Sequence, residues 1–291
     1  MTPSTIFHYP LPVSFSQLSL QDYADCRRCF QLRHVFKLRW PAVESEPALE
    51  NERAMQQGAR FHRLVQHHFM GISAEQLLSL ARSDGFERWW QHFLDFARLS
   101  GFEKGEGAAF YPEISLAASL PGTAGGGRRL VAKYDLLVIH PDGRLAIYDW
   151  KTSRKKPRRA WLLERLQTRV YPYVLACAGA HLFPHGVKLA PENIEMIYWF
   201  AEEPDGPERI AYSAAMFKQD GAYLAGLVDE IVTLAPEDFH LTAHTEHCRF
   251  CTYRSLCNRG RAAGDWEEVE DEPEPVSLAE FDFEQIAEIA F

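Results

Sequence analysis

Apolar residues recur every three to four positions over 50–70, where Met55, Phe61, Leu64, Val65 and Phe69 fall on one stripe, and this spacing predicts a long amphipathic helix. Weaker helical periodicity covers 16–38, 74–82 and 86–99. The pattern then changes to short apolar runs bounded by turn residues. Strands are expected over 108–120, 130–139 and 145–152, with a glycine-rich turn at 121–127 and a Pro141-Asp142-Gly143-Arg144 turn between the last two. A helix over 159–180, kinked at Pro172, a strand over 193–201 and a helix over 214–234 follow. Helices, three meandering strands, then helix, strand and helix make a mixed α/β core with an N-terminal helical region.

The returning strand carries Asp149-Trp150-Lys151. Alternation puts Asp149 and Lys151 on one face and turns Trp150 away, leaving only its backbone carbonyl near them. If Asp135 on the preceding strand lies across the ladder on that face, two carboxylates and an ammonium converge beside a core. Buried charges need partners or metals, and carboxylates with room for water suit Mg²⁺ or Mn²⁺ better than zinc. On the next helix Gln167 and Tyr171 stand four apart and share a face. His62, on the long early helix, is a candidate ligand by its place before the sheet.

Charge changes the picture of the partner. The chain of 291 residues has a net charge of -9, but 265–291 holds eleven acidic residues and no basic ones. The remainder has 29 acidic against 31 basic residues. Its positive charge gathers directly after the acid pair, at Lys151, Arg154, Lys155, Lys156, Arg158, Arg159, Arg165 and Arg169, with only Glu164 among them. Basic density beside a metal site suits a polyanion. No Gly-x-x-x-x-Gly-Lys-Ser/Thr occurs, so Gly125-Gly126-Gly127 is a hairpin turn and the chain has no ATPase motor of its own. No apolar run is long enough to span a bilayer and the N-terminus lacks the pattern of a secretion signal, so a cytoplasmic location without membrane association is expected.

Of six cysteines, Cys248, Cys251 and Cys257 form C-x2-C-x5-C, and Cys26 and Cys29 form a distant C-x2-C. Without a secretion signal they point to metal or redox chemistry. Cys26, Cys29, Cys248 and Cys251 would make a four-thiolate zinc site, toward which spacing leans. The C-terminal trio plus one N-terminal cysteine would instead hold a 4Fe-4S cluster. Either way the metal clasps the two ends of the chain. Cys177 reads as a small buried residue.

Several elements stand in a set order: Tyr23-x-x-Cys26-x-Arg28-x-Phe30-x-Leu32, Gly58-x-x-x-His62, a strand bearing Glu113, Asp135, Asp149-x-Lys151, Gln167-x-x-x-Tyr171 and the cysteine trio. Over 16–259 this order resembles the PD-(D/E)XK nuclease superfamily, in its RecB-like exonuclease branch with an iron-sulfur clasp, as in AddB-type and CRISPR-associated exonucleases. The resemblance implies a restriction-endonuclease-like mixed sheet flanked by helices, with a nuclease domain over 1–264 and a helical insertion around 41–105. Outside the family pattern, composition predicts a flexible acidic tail over 265–291, and apolar spacing predicts a short amphipathic helix over 277–291 within it.

By the same resemblance His62, Asp135, Asp149 and the Trp150 carbonyl hold Mg²⁺ or Mn²⁺, Lys151 assists the attacking water, and Gln167 and Tyr171 steady the lysine and the DNA backbone. It also favours iron-sulfur on Cys26, Cys248, Cys251 and Cys257. Cys29, where the family carries a basic residue, and Arg27, where it carries proline, keep zinc open. The implied function is a metal-dependent DNA exonuclease acting on single-stranded ends in repair, recombination or CRISPR-type defence, working with a separate helicase or pathway partner. The alternatives are an inactive DNA-binding module and a zinc-clasped interaction protein of the same fold.

Overall fold

A computed structural model describes residues 11–39, 48–102, 107–120, 127–183 and 189–260. The predicted acidic tail and most of the glycine-rich turn lie outside these residues. The described chain runs β1 (Ser14–Ser16), α1 (Gln17–Asp25), α2 (Arg27–Phe30), a π-helical turn (Gln31–Val35), α3 (Ala48–Phe69), α4 (Ala74–Ser83) and α5 (Glu87–Leu99). It continues through β2 (Ala109–Ser119), β3 (Arg129–Ile139), β4 (Leu145–Lys151), α6 (Arg159–Glu164), α7 (Leu166–Ala178), β5 (Ile194–Phe200), β6 (Glu208–Ala211) and α8 (Ala214–Thr233).

The six strands form one mixed sheet. β2 pairs antiparallel with β3 along its length, while β1 and β4 take different stretches of β3: β1 pairs parallel at Arg129 to Val131, and β4 pairs antiparallel at Leu136 to Ile139. With β2 filling one edge of β3, these two strands share the other, and between them it forks open at 132–135. β5 continues the sheet parallel to β4, and β6 closes it.

Every residue of β4 is buried, because helices cover both faces of the sheet. Leu145 and Ile147 join β5 residues Met196 and Tyr198 in the larger core under α1, α7 and α8. Ala146, Tyr148 and Trp150 face an aromatic core with Phe61, Trp90, Phe93 and Phe96 of α3 to α5. The Trp150 ring lies edge-on to Phe93 at 5.5 Å, pointing away from Asp149 and Lys151 as alternation predicts.

Three sequence expectations need correction. The predicted helix at 16–38 is broken at Cys26, whose extended backbone (φ -161°, ψ 108°) separates α1 from α2, and it is preceded by the unpredicted strand β1. The helix at 159–180 divides at Arg165, where ψ is 141°, while Pro172 sits inside α7. Cys177 is exposed rather than buried, since it falls on the outer side of α7. No described helix is long and apolar enough to cross a membrane.

Candidate active site

The site forms where the β3–β4 ladder ends. Its last pair is Leu136↔Tyr148, and one step further the same register sets Asp135 opposite Asp149. Here the alternation of β3 slips. Tyr134 and Leu137 both face the larger core, whereas Leu136 and Val138 face the aromatic one. Asp135 therefore stands at the fork and is reached from both sides. His62 Nδ1 of α3 lies 3.3 Å from its Oδ1, and the Trp150 N–H donates to its Oδ2 at 2.8 Å. A residue's N–H and C=O leave a strand on the same edge, so the Trp150 carbonyl is also turned toward the fork.

From the other face α7 supplies Gln167. Its amide nitrogen donates to Asp149 Oδ1 at 2.6 Å and its oxygen accepts from Lys151 Nζ at 3.2 Å. One planar amide thus fixes both members of the Asp-x-Lys pair. Lys151 Nζ lies 3.0 Å from Asp149 Oδ2 as an ion pair and 5.8 Å from the centre of the Tyr198 ring. The approach to Oδ2 lacks hydrogen-bond alignment, and this buried oxygen has no hydrogen-bond partner. Asp149, Lys151 and Gln167 are 4%, 7% and 7% exposed, which removes the solvent screening that makes surface ion pairs weak. Tyr171, one turn beyond Gln167, lies in the larger core with its ring 5.2 Å from that of Tyr134, whose hydroxyl donates to the Tyr171 carbonyl.

The two carboxylates differ in character. Burial pushes the Asp149 carboxyl up to about 6, with the charge of Lys151 opposing the rise and that of Asp135 adding to it. Burial also acts against a charge on Asp135, but His62, the Trp150 amide and Lys151 outweigh it and hold this carboxyl low.

A third acid enters that residue patterning did not place. Glu113 on β2 stands opposite Asp135, at a position the β2–β3 pairing passes over between Pro112↔Leu136 and Ile114↔Tyr134. Its φ is +55°, unusual for a residue with a Cβ, and its carboxylate pairs with Lys133 at 2.6 Å. Burial and the neighbouring charge of Asp135 raise its pKa. The available signal was Pro112: proline within a strand marks an edge or an irregularity.

Gly58 explains how α3 comes close enough to present His62. A Cβ there would stand 2.7 Å from Thr152 Oγ1, just beyond Lys151. The helix packs its backbone against the end of β4, and His62 follows one turn later.

Among the described residues no three His, Cys, Asp or Glu side chains converge closely enough to enclose a metal ion. His62 is engaged with one oxygen of Asp135, and Lys151 lies against Asp149, so the predicted ligands are gathered but not closed into a shell. Their chemistry still fits a hard divalent cation that keeps several waters: two neighbouring carboxylates, an Asp149 oxygen held only by the Lys151 ammonium and a carbonyl turned toward the fork.

The cysteines also gather. Cys29 is buried, with its Sγ 3.8 Å from Cys251 Sγ and 3.8 Å from Asp22 Oδ1. Cys26, Cys251 and Cys257 pack around Cys29, Leu32 and Tyr253, and Cys248 is buried. Asp22 is held by Arg33, with its nearest contact at 2.8 Å, and by His34 at 2.7 Å. The sequence-distant motifs therefore meet, and Cys29 is among them.

The sequence profile of the PD-(D/E)XK nuclease superfamily matches residues 14–258. None of the curated proteins matches the chain. Among solved structures it is similar to SSO0001, at 11% identity and a TM-score of 0.40 over 86% of this chain and 88% of that one. It is also similar to a protein from Eubacterium rectale named as a candidate exonuclease, at 12% identity and a TM-score of 0.48 over 80% of this chain and 86% of that one.

Proposed function

Because the chain belongs to the PD-(D/E)XK nuclease superfamily, we propose that the fork between β3 and β4 hydrolyses phosphodiester bonds in DNA with the help of a divalent cation. One observation carries this reading: Asp135 and Asp149 stand one step beyond the last β3–β4 pair, near enough for their charges to interact, while Gln167 holds Lys151 against Asp149. An ordinary solvated hairpin would not bury all three of Asp149, Lys151 and Gln167.

Asp135, Asp149 and the Trp150 carbonyl would hold the cation, with His62 beside Asp135. When bound, Mg²⁺ or Mn²⁺ would supply Lewis acidity to the phosphoryl oxygen and lower the proton affinity of a coordinated water. The protein's own groups do the rest. Lys151 brings a fixed positive charge to where negative charge grows in the transition state, and it needs little reorganisation because Gln167 already orients it. Gln167 keeps Asp149 turned toward the fork. His62 and the Trp150 amide stabilise the charged form of Asp135, so that the carboxylate is ready at neutral pH.

We take 1–264 as the nuclease domain and 265–291 as an appended acidic tail, and we assign the activity to exonucleolytic cutting at single-stranded ends, in a RecB-like branch with a separate helicase as partner. The motif order described above supports this. The test is release of acid-soluble nucleotides from uniformly labelled single-stranded and duplex DNA, each linear or circular, with Mn²⁺ or Mg²⁺. Cutting of linear single strands and sparing of circles is expected. Equal cutting of circles would replace the exonuclease reading with an endonuclease one.

For the clasp, the resemblance supports a 4Fe-4S cluster on Cys26, Cys248, Cys251 and Cys257. The approach of Cys29 to Cys251 favours the second reading, zinc on Cys26, Cys29, Cys248 and Cys251. Broad visible absorption of anaerobically purified protein identifies iron and sulfur, and a colourless protein containing stoichiometric zinc identifies the other.

A further inference from the structure

Downstream of Lys151 the structure sorts several positive side chains into those with an acidic partner and those without one. Lys156 and Arg159 both pair with Glu208, at 2.8 and 3.0 Å, and Arg169 pairs with Asp220 at 3.0 Å. Lys155 and Arg158 are exposed, and among the described residues no acidic group pairs with either. The loop carrying them is nonetheless anchored. Thr152, Ser153 and Pro157 are buried, and the Ser153 hydroxyl donates to the Lys155 carbonyl at 3.3 Å. Two cations are thus presented on a fixed loop that leads directly out of the active site.

The same segment continues into an aromatic feature. Arg158 precedes α6, Trp161 lies within it and Arg165 follows its last residue. The Arg165 guanidinium lies 4.7 Å from the centre of the half-buried Trp161 indole. Arg165 stands two residues before Gln167, which touches both Asp149 and Lys151. A guanidinium beside an indole joins a cation to an aromatic face on which a nucleobase can stack, but only one that is not already stacked in a duplex.

Resting on the nuclease reading, we propose that Lys155 and Arg158 bind backbone phosphates next to the scissile one, and that the Arg165–Trp161 stack receives one unpaired base. The site's substrate is then single-stranded at this position. A duplex end that enters without opening would meet the phosphate contacts but not the stack.

The test is fluorescence anisotropy of the full chain with a labelled single-stranded oligonucleotide and with a blunt duplex, in EDTA, across a salt series. Lys155→Gln with Arg158→Gln should make the log–log salt dependence for the single strand shallower by about 1.4, at roughly 0.7 per phosphate contact. Lys156→Gln with Arg159→Gln should make it shallower by less than half as much, because Glu208 already offsets one of that pair's two charges. Trp161→Leu should weaken single-strand binding about tenfold without changing the duplex affinity. Arg165→Gln, which leaves the indole in place, should do the same if the leucine variant folds poorly. Equal slopes for the two charge pairs, or equal loss on single strand and duplex, would overturn the proposal. Binding with the expected pattern but no nucleotide release with Mn²⁺ would remove the nuclease reading and leave the binding track standing. Cutting without the pattern would do the reverse.

Discussion

Burial raises the Asp149 carboxyl above the ordinary aspartate value, and this gives it a measurable signature. Its value of about 6 lies above the ordinary aspartate value near 4. Between those pH values the folded chain binds more protons than the unfolded chain, so stability falls as pH rises through the window and the penalty is complete above it. In metal-free protein, Asp149→Asn removes this limb. Urea unfolding at pH 4 to 7 should show the parent losing stability relative to the variant by on the order of 2 kcal/mol. Parallel curves would mean that Asp149 titrates as an exposed acid does. At this scale Asp149 and Lys151 were legible from the sequence, because a period of two fixes which residues share a face. Asp135 was only partly legible: its convergence depends on the slip in β3 at that residue. The conformation of Glu113 left only the faint trace of the preceding proline, since a positive φ in a residue with a Cβ has no compositional signal.

The elements that carry the site were legible as types but not in their joints. The stripe from Met55 to Phe69 gave α3, and the alternating runs gave β3 and β4. The breaks at Cys26 and Arg165 were missed because each is a single extended residue between helical stretches, held by tertiary contacts. One such contact is the Gln21 side chain, which accepts from the Leu166 N–H at the start of α7. β1 and β6, of 3 and 4 residues, are too short to show a period. The closest joint is that between α3 and the end of β4 at Gly58. Gly58→Ala should cost about 1–3 kcal/mol through overpacking, despite the better helix propensity of alanine. It should also lower the cleavage rate by moving His62. Combining it with Thr152→Ala, which deletes the clashing hydroxyl, should recover most of the lost stability in a double-mutant cycle. Additive losses would place the cause elsewhere than in this contact.

For the whole molecule, helices on both faces of one sheet bring His62 from α3 and Gln167 from α7 to the same fork, which explains why the motifs are scattered along the sequence. The chain ends meet at the cysteines, and they are also joined without metal. The Tyr253 hydroxyl donates to the Leu38 carbonyl at 2.7 Å, and the Gln31 side chain donates to the Pro236 carbonyl at 2.7 Å. Loss of the proposed clasp metal should therefore loosen the segments around the cysteines before it melts the sheet. Limited proteolysis of Cys251→Ser should show early cuts within 236–260 while fragments containing β3 and β4 persist; simultaneous loss of both regions would make the clasp part of the central folding unit. The two cysteine motifs were expected to meet, and the zinc alternative already set Cys29 with Cys251; sequence spacing could not supply the 3.8 Å approach of their sulfurs, which depends on how the extended Cys26 turns α2.

In the proposed reaction the fork seats a divalent cation and Lys151 acts beside it rather than as a ligand. Mn²⁺ binding followed by electron paramagnetic resonance, with single-strand cleavage measured on the same samples, separates these two roles. Asp149→Asn is expected to lose both binding and cleavage, whereas Lys151→Ala should still bind Mn²⁺ but no longer cut. Cleavage at the parent rate by either variant, or a parent that neither binds Mn²⁺ nor cuts, would contradict it.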